Sequence, residues 1–242
     1  MYCNSCQETL PDDARFCRYC GAAQTAFVED DTERKNVFGL LIVFYSIELL
    51  VCGIVHMVDS LHTLGWMLFF DALMAGNAIL FAILGYSRIK PLLRWNNFSV
   101  LRLLGYTAAT IAGSLVVQFS VRWFNRSFFD KDLDYYTFFS GTRFPVVFMI
   151  LSVAVQPALF EELAYRGFVQ SQLKRIADAR SAIFISAFVF ALVHLSFVSL
   201  VWLIPFALCL GYIREKENTL WYGVWLHFVF NTVACITSWY LH

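Results

Sequence analysis

Apolar residues along this chain gather into long runs that are separated by short polar connections. We place seven such segments, at residues 37–58, 62–85, 99–121, 144–173, 181–197, 198–213 and 219–240. A helix needs about 20 residues to cross a hydrocarbon core of about 30 Å. The pattern therefore predicts an all-α, polytopic membrane helical bundle of seven spans. Six or eight spans stay as alternatives, because only a short turn around residues 196–199 separates two of the segments.

The composition agrees with a membrane protein. Hydrophobic residues make up 59% of the chain and charged residues 15%, whereas soluble domains have about 25% charged residues. The formal net charge is zero, so we expect no nucleic-acid partner. The N-terminus also lacks the basic and then apolar form of a secretory signal. We therefore expect an integral, multi-pass protein that lies in the lipid bilayer.

The N-terminal residues carry four cysteines in the spacing C-x2-C-x10-C-x2-C, namely Cys3, Cys6, Cys17 and Cys20. Two C-x-x-C knuckles supply the four thiolates that tetrahedral zinc prefers, and metal ligation would stabilise a segment too short for its own core. Two disulfides are the alternative, but they need an oxidising compartment. Four cysteines leave no open coordination position, so we predict a structural zinc rather than a catalytic one.

The chain divides into three predicted parts. Residues 1–21 form the zinc ribbon, residues 22–36 an acidic linker and residues 37–242 the membrane domain. Lys and Arg concentrate in the connections on the N-terminal side of the membrane, whereas the opposite side holds Arg122, Arg126, Lys131 and Arg143 together with three aspartates. Positive residues favour the cytoplasm. We therefore predict a cytoplasmic N-terminus, a location in a prokaryotic cell membrane, and a cytosolic protein as a candidate partner of the ribbon.

Ionisable and amide groups lie inside three of the apolar segments. They are Glu161, Glu162 and Arg166 in the fourth, His194 in the fifth, and His227 with Asn231 in the seventh. Such groups are expensive in a bilayer. With a helical rise of about 1.5 Å per residue, Glu161, His194, His227 and Asn231 lie roughly 12–21 Å from the cytoplasmic side. We therefore expect them to meet in one slab near the middle of the membrane.

These residue types suggest hydrolysis. A glutamate and a histidine can hold and deprotonate a water molecule, and a second histidine with an asparagine can donate hydrogen bonds to an oxyanion. Pro157 removes a backbone hydrogen bond one turn before Glu161 and is expected to kink the helix, which would open space there.

Three stretches, EELAYR, FALVH and HFVFN, resemble the EExxxR, FxxxH and HxxxN motifs of the CAAX protease and bacteriocin-processing (Abi) family, which is type II CAAX prenyl endopeptidase-like. The resemblance covers about residues 144–235. It implies that Glu161 and His194 activate water and that His227 and Asn231 form the oxyanion site. It further implies that Glu162 and Arg166 support the site and that Phe190 packs beside it. The implied substrate is the C-terminal end of a peptide or protein, which in the family's eukaryotic members is prenylated.

Other hypotheses stay open. A metal-dependent protease would use Glu161, His194 and His227 as zinc ligands, whereas the first hypothesis has no cofactor at the catalytic site. A proton-coupled transporter would use the same groups as a relay. A non-catalytic immunity or scaffold protein would recruit its partner through the ribbon. The acidic residues Glu48 and Asp71, in the first two segments, are not assigned a role.

Overall fold

The computed structural model describes residues 2–3, 5–10, 16–22, 31–95, 98–129 and 134–241. The chain forms two compact units, Met1–Leu40 and Leu41–His242. In the first unit, an isolated antiparallel bridge joins Tyr2 to Thr9, and Leu10 is buried with two of the ribbon cysteines. Lys131 and residues 23–30 of the predicted linker lie outside the described part of the chain.

Seven long helical segments appear in the described part of the chain, one for each apolar run. They are α1 (Asp31–Met57), α2 (Leu64–Leu84), α3 (Val100–Phe129), α4 (Pro145–Leu173), α5 (Ala179–Leu192), α6 (Phe197–Glu217) and α7 (Trp221–Tyr240). Short helices at Tyr86–Ile89 and Tyr135–Phe139 lie in the connections. The predicted all-α membrane bundle is thereby confirmed. Helix α1 begins at Asp31, inside the stretch that the sequence suggested as a linker.

Five of these helices are long and apolar enough to cross a membrane, namely α1, α2, α3, α4 and α6. Helix α5 is apolar but has only 14 residues, which corresponds to about 21 Å of rise. Many apolar side chains on these helices are exposed, as expected of surfaces that lie against lipid. The fold is therefore that of an integral membrane protein.

Two predicted helix boundaries were wrong. The fifth apolar segment was expected to stay helical to residue 197, but α5 ends at Leu192. Leu195 then adopts a left-handed conformation with φ of 51°, and Ser196 caps the next helix by accepting a hydrogen bond from the Ser199 backbone amide. The expected loop 122–143 is also partly helical, because α3 continues to Phe129.

Helix α4 occupies the centre of the bundle and contacts α2, α5, α6 and α7. Its backbone alternates between α-helical turns and π-helical turns at Ile150–Val155 and Glu162–Val169. A π-helical turn is rare and often marks a functional site. The helix continues through Pro157, which lies between the two wide turns. The second π-helical turn contains Glu162 and Arg166 of the EELAYR motif.

Candidate active site

The two adjacent glutamates of α4 have different environments, because successive residues of a helix point in different directions. The Glu162 side chain is fully buried, whereas the Glu161 side chain is 31% exposed. Glu161 lines a cavity of about 700 Å³ and Glu162 does not. Only the first of the two carboxylates is therefore open to a ligand in this cavity.

Glu162 is held by two partners that converge on one of its oxygens. The Arg166 guanidinium donates to Oε1 at 2.8 Å, and Nδ1 of His227 lies 3.0 Å from the same oxygen. The other oxygen, Oε2, has no hydrogen-bond partner in the described part of the chain. An ion pair between buried groups needs such additional contacts to offset its desolvation. The three side chains tie α4 to α7.

The Arg166 guanidinium has two further contacts, a hydrogen bond and an aromatic ring. It donates to the Ala207 carbonyl of α6 at 3.2 Å. Its guanidinium carbon lies 4.6 Å from the centre of the Phe190 ring, a distance suited to a cation–π contact. Phe190 therefore packs beside the site, and Arg166 joins α4, α5 and α6.

His227 lies between the two glutamates. Its Nδ1 faces Glu162, and its Nε2 lies 3.8 Å from Oε2 of Glu161. The rings of Phe190 and Phe206 pack edge-on against the imidazole, with centroid distances of 6.2 and 5.4 Å. Because an ionised carboxylate can only accept, Nδ1 carries the proton that is donated to Glu162. The second nitrogen is thereby directed towards Glu161.

His194 does not lie within a helix as expected, but in the turn that follows α5. Its Nδ1 is 2.9 Å from the Phe190 carbonyl oxygen, and the side chain lines the same cavity as Glu161. A carbonyl oxygen only accepts, so Nδ1 carries the proton and Nε2 of the neutral ring is an acceptor. His194 thus presents a basic nitrogen from an oriented ring.

Asn231 is bonded to α4 rather than to the other motif residues. Its Nδ2 donates to the Val153 carbonyl at 2.8 Å. Val153 lies four residues before Pro157, which has no N–H to give this carbonyl in an α-helical turn. Asn231 therefore satisfies a backbone acceptor next to a proline. The second N–H of the amide is the one that would serve an oxyanion.

The structure also adds residues that the motifs did not include. Glu48 of α1 accepts a 2.6 Å hydrogen bond from Asn77 of α2, and both are buried. Glu48 and Asp71 line the cavity together with Glu161. The sequence showed these acids in apolar segments, which is a signal of function, but it did not show that they face the same cavity.

The ribbon cysteines converge on one point. All four sulfur atoms lie within 4.8 Å of one another, and the pairs Cys3–Cys20 and Cys6–Cys17 are 3.7 and 3.5 Å apart. Tetrahedral zinc with bonds of about 2.3 Å places its sulfur ligands about 3.8 Å apart. A disulfide would require about 2.05 Å. The donor set therefore fits one zinc ion and not two disulfides.

The two knuckles repeat the same backbone geometry. The Cys3 amide donates to the Glu8 carbonyl, and the Cys17 amide donates to the Ala22 carbonyl, each at 2.8 Å. In both knuckles a backbone amide also donates to the first sulfur, at 3.3–3.4 Å. Gly21 has a φ of 75°, which a glycine adopts at little cost.

The fold and the site define a polytopic helical membrane protein with a buried carboxylate–arginine–histidine cluster beside a cavity. Residues 143–233 match the family model described as Type II CAAX prenyl endopeptidase Rce1-like, and residues 2–24 match the zinc-ribbon domain. Both resemblances inferred from the sequence are thereby confirmed. The chain carries an Rce1-like segment that includes every proposed intramembrane site residue, together with an N-terminal zinc ribbon. Neither a curated protein nor a solved structure matches the chain.

Proposed function

We propose that this chain is an intramembrane endopeptidase of the glutamate type, with no metal at its catalytic site. The observation that supports this most directly is the position of His227 between two carboxylates. Nδ1 is bonded to the buried Glu162, and Nε2 faces Glu161 at the cavity. A structural ion pair alone would not need an exposed carboxylate and a second histidine at the same cavity.

In the proposed reaction, Glu161 and His194 hold and deprotonate one water molecule. The water oxygen attacks the carbonyl carbon of the scissile peptide bond, and the proton moves to Glu161. The tetrahedral intermediate then loses its amine, which takes the proton back as the C–N bond breaks. The products are a carboxylate and an amine.

The oxyanion of the intermediate would be stabilised by His227 Nε2–H and by the second N–H of Asn231. Because Nδ1 of His227 already donates to Glu162, an Nε2–H donor requires both ring nitrogens to be protonated. Glu162, which also accepts from Arg166, holds the imidazole in this orientation. Phe190 supports the arrangement through its contacts with Arg166 and with the histidine rings.

The proposed substrate is a peptide or protein cleaved near its C-terminus, with or without a lipid modification. We propose a prokaryotic cell membrane as the location, with the N-terminus in the cytoplasm. The zinc ribbon, which would hold a structural zinc, is then placed to bind a cytosolic protein.

The test compares purified full-length protein with its Glu161→Gln variant on a prenylated CAAX peptide and on a mixed peptide library. Asp178→Asn is the matched control, since it removes an exposed carboxylate that does not line the cavity while keeping a capping side chain. We expect cleavage by the wild type and the control, no cleavage by Glu161→Gln, and resistance to chelators. Full activity of Glu161→Gln would contradict the proposal.

A metal-dependent protease is the second candidate, with Glu161, His194 and His227 as ligands. The same assay separates the two. Loss of cleavage with a chelator, and its return with added zinc in a protein that lacks residues 1–21, would favour the metal-dependent reaction. Unchanged cleavage under chelation would favour the glutamate-type reaction.

A further inference from the structure

The cavity beside Glu161 extends well beyond the motif residues. It has a volume of about 700 Å³ and is lined by parts of α1, α2, α4, the turn after α5, and the segment around Tyr135. It reaches His56 and His62, which are exposed in and near the connection between α1 and α2. The first two helices lie outside the residues that match the Rce1-like model.

The cavity wall is rich in acidic side chains, and three histidines, His56, His62 and His194, also line it. Four carboxylates line it, those of Glu48, Asp71, Asp134 and Glu161, and no lysine or arginine does so among the lining residues that the structure describes. Asp134 caps the short helix at Tyr135–Phe139 and accepts from Ser238 at 2.9 Å. Glu48 accepts from Asn77. The Asp71 carboxylate makes no hydrogen bond within the described part of the chain.

The nearest buried cation is not available to these acids. Arg166 is paired with Glu162 and is 1% exposed. A carboxylate away from water is costly unless a cation or hydrogen-bond donors accompany it. Asp71 and Glu161 therefore make the cavity complementary to a positive charge that no lysine or arginine among its described lining residues supplies.

The cavity wall also contains a buried tyrosine. Tyr165 lines the cavity and is 1% exposed, yet its hydroxyl has no hydrogen-bond partner among the residues described. A buried hydroxyl normally finds a partner. A ligand that brings a hydrogen-bonding group next to its charge would provide one, as a peptide backbone beside a basic side chain does.

The acids do not converge as ligands of one metal ion would. Among the described residues, the ribbon cysteines are the group of three or more His, Cys, Asp or Glu whose donor atoms come close enough to share an ion. Carboxylates spread over α1, α2 and α4 suit an extended ligand instead. The spacing thus favours an organic cation attached to a chain.

We propose that the cavity selects peptide substrates with a lysine or arginine close to the scissile bond, and that Glu48 and Asp71 are specificity-determining residues. This inference rests on the proposed endopeptidase function. It names the substrate class as basic peptides, and it assigns the selection to helices outside the Rce1-like match. An acidic side chain at the same position would meet four carboxylates and be rejected.

The test uses full-length protein and sets of three peptides. The peptides of one set differ only in carrying Lys, Met or Glu at one position, and each set places the change at a different position of the peptide. Cleavage is measured as kcat/KM with the wild type, and binding as Kd with the Glu161→Gln variant. At the selective position we expect the Lys peptide to have a kcat/KM about tenfold higher, and a Kd about tenfold lower, than the Glu peptide. Asp71→Asn should reduce this ratio, and Asp71→Lys should invert it. The control Asp178→Asn should leave the ratio unchanged.

The outcomes separate the two proposals. Cleavage with equal kcat/KM for the three peptides at every position would overturn the basic-peptide inference and leave the endopeptidase intact. Preferential binding of Lys peptides without any cleavage would overturn the endopeptidase and support the selectivity of the cavity. Neither binding nor cleavage of any peptide would overturn both. A preference that disappears on chelation would replace the inference with a metal site.

Discussion

The Oε2 atom of Glu162 lies 2.7 Å from the position that a Cβ atom on Gly223 would occupy. Helix α7 therefore approaches α4 so closely that only a glycine fits opposite the carboxylate. The same approach brings His227, one turn further along α7, within 3.0 Å of Glu162. This glycine is part of the site although it belongs to none of the three motifs.

Replacing Gly223 by alanine should displace the Glu162 carboxylate from Arg166 and His227. We expect a loss of about 1–3 kcal/mol in the free energy of unfolding, as is typical of overpacking, together with a large fall in peptide cleavage. Gly113→Ala in α3 is the matched control, because a Cβ there meets nothing within 4 Å and alanine favours a helix. Thermal unfolding in detergent measures the stability of both variants, and a peptide-cleavage assay measures their activity. Equal stability and activity of the two variants would show that the close approach is unimportant.

The hydrogen bond from Asn231 to the Val153 carbonyl allows a structural role of Asn231 to be distinguished from a catalytic one. Asn231→Ala leaves the Val153 carbonyl without its donor and should cost about 1 kcal/mol. Adding Pro157→Ala restores a backbone N–H four residues after that carbonyl. The double variant should therefore regain stability, which a double-mutant cycle of unfolding free energies measures.

Activity in the same cycle decides the role of Asn231. If the amide donates to the oxyanion, the double variant stays inactive although it is as stable as the Pro157→Ala single variant. Recovery of activity together with stability would instead show that Asn231 acts only through the α4 backbone. Pro157→Ala alone serves as the control for changes in the shape of α4.

Asp178 provides a pH-dependent contribution to the stability of α5. It caps this helix by accepting from the Ser181 amide and hydroxyl and from the Arg180 amide, at 2.8–3.0 Å. These hydrogen bonds to Ser181 and then Arg180 hold the pKa of the carboxyl below its ordinary value of 3.8. The stabilisation is therefore complete above the unfolded pKa and is lost as the pH falls through the folded pKa.

We accordingly expect Asp178→Ala to be less stable than the wild type at pH 7, with a difference that shrinks as the pH falls below about 4. Asp178→Asn keeps a capping group that does not titrate. The contribution of the cap to the stability of this variant should therefore not decrease as the pH falls. Unfolding curves between pH 2 and pH 7 would check this. A difference for Asp178→Ala that is independent of pH would contradict the capping role of the carboxylate.

Zinc binding by the ribbon should depend on its four cysteines and on no other. Purified protein is expected to contain about one zinc per chain, bound tetrahedrally, and Cys3→Ser should remove most of it. Cys209→Ser is the control, since this cysteine lies exposed in α6. Metal analysis measures the zinc content of each variant, and a peptide-cleavage assay on the same samples shows whether cleavage depends on that zinc. Zinc content that survives Cys3→Ser would indicate a second site.

Several features could be predicted from the sequence because they depend on local chemistry. The spacing of the cysteines was enough to predict the ribbon, since a C-x-x-C knuckle folds within a few residues. The spacing of Glu162 and Arg166 was enough to predict their contact, because residues i and i+4 are neighbours on any helix. The EELAYR, FALVH and HFVFN stretches were enough to recognise the family.

Other features depend on how the helices pack, which no local pattern specifies. Helix α5 ends earlier than expected, with a left-handed residue at Leu195, so His194 lies in a turn rather than on a helix, although it lines the same cavity as Glu161. The amide of Asn231 donates to the Val153 carbonyl of α4, a contact that the spacing of the motif does not specify.

The sequence by itself determined the class of this protein, because apolar runs of helical length predict a membrane bundle and two C-x-x-C pairs predict a metal-binding ribbon. Only the tertiary structure decided which carboxylate is buried and which is open, and that Glu48 and Asp71 face the same cavity as Glu161. The physical reason is that hydrophobicity and ligand type act residue by residue, whereas burial and electrostatic environment arise only when helices distant in the sequence come into contact.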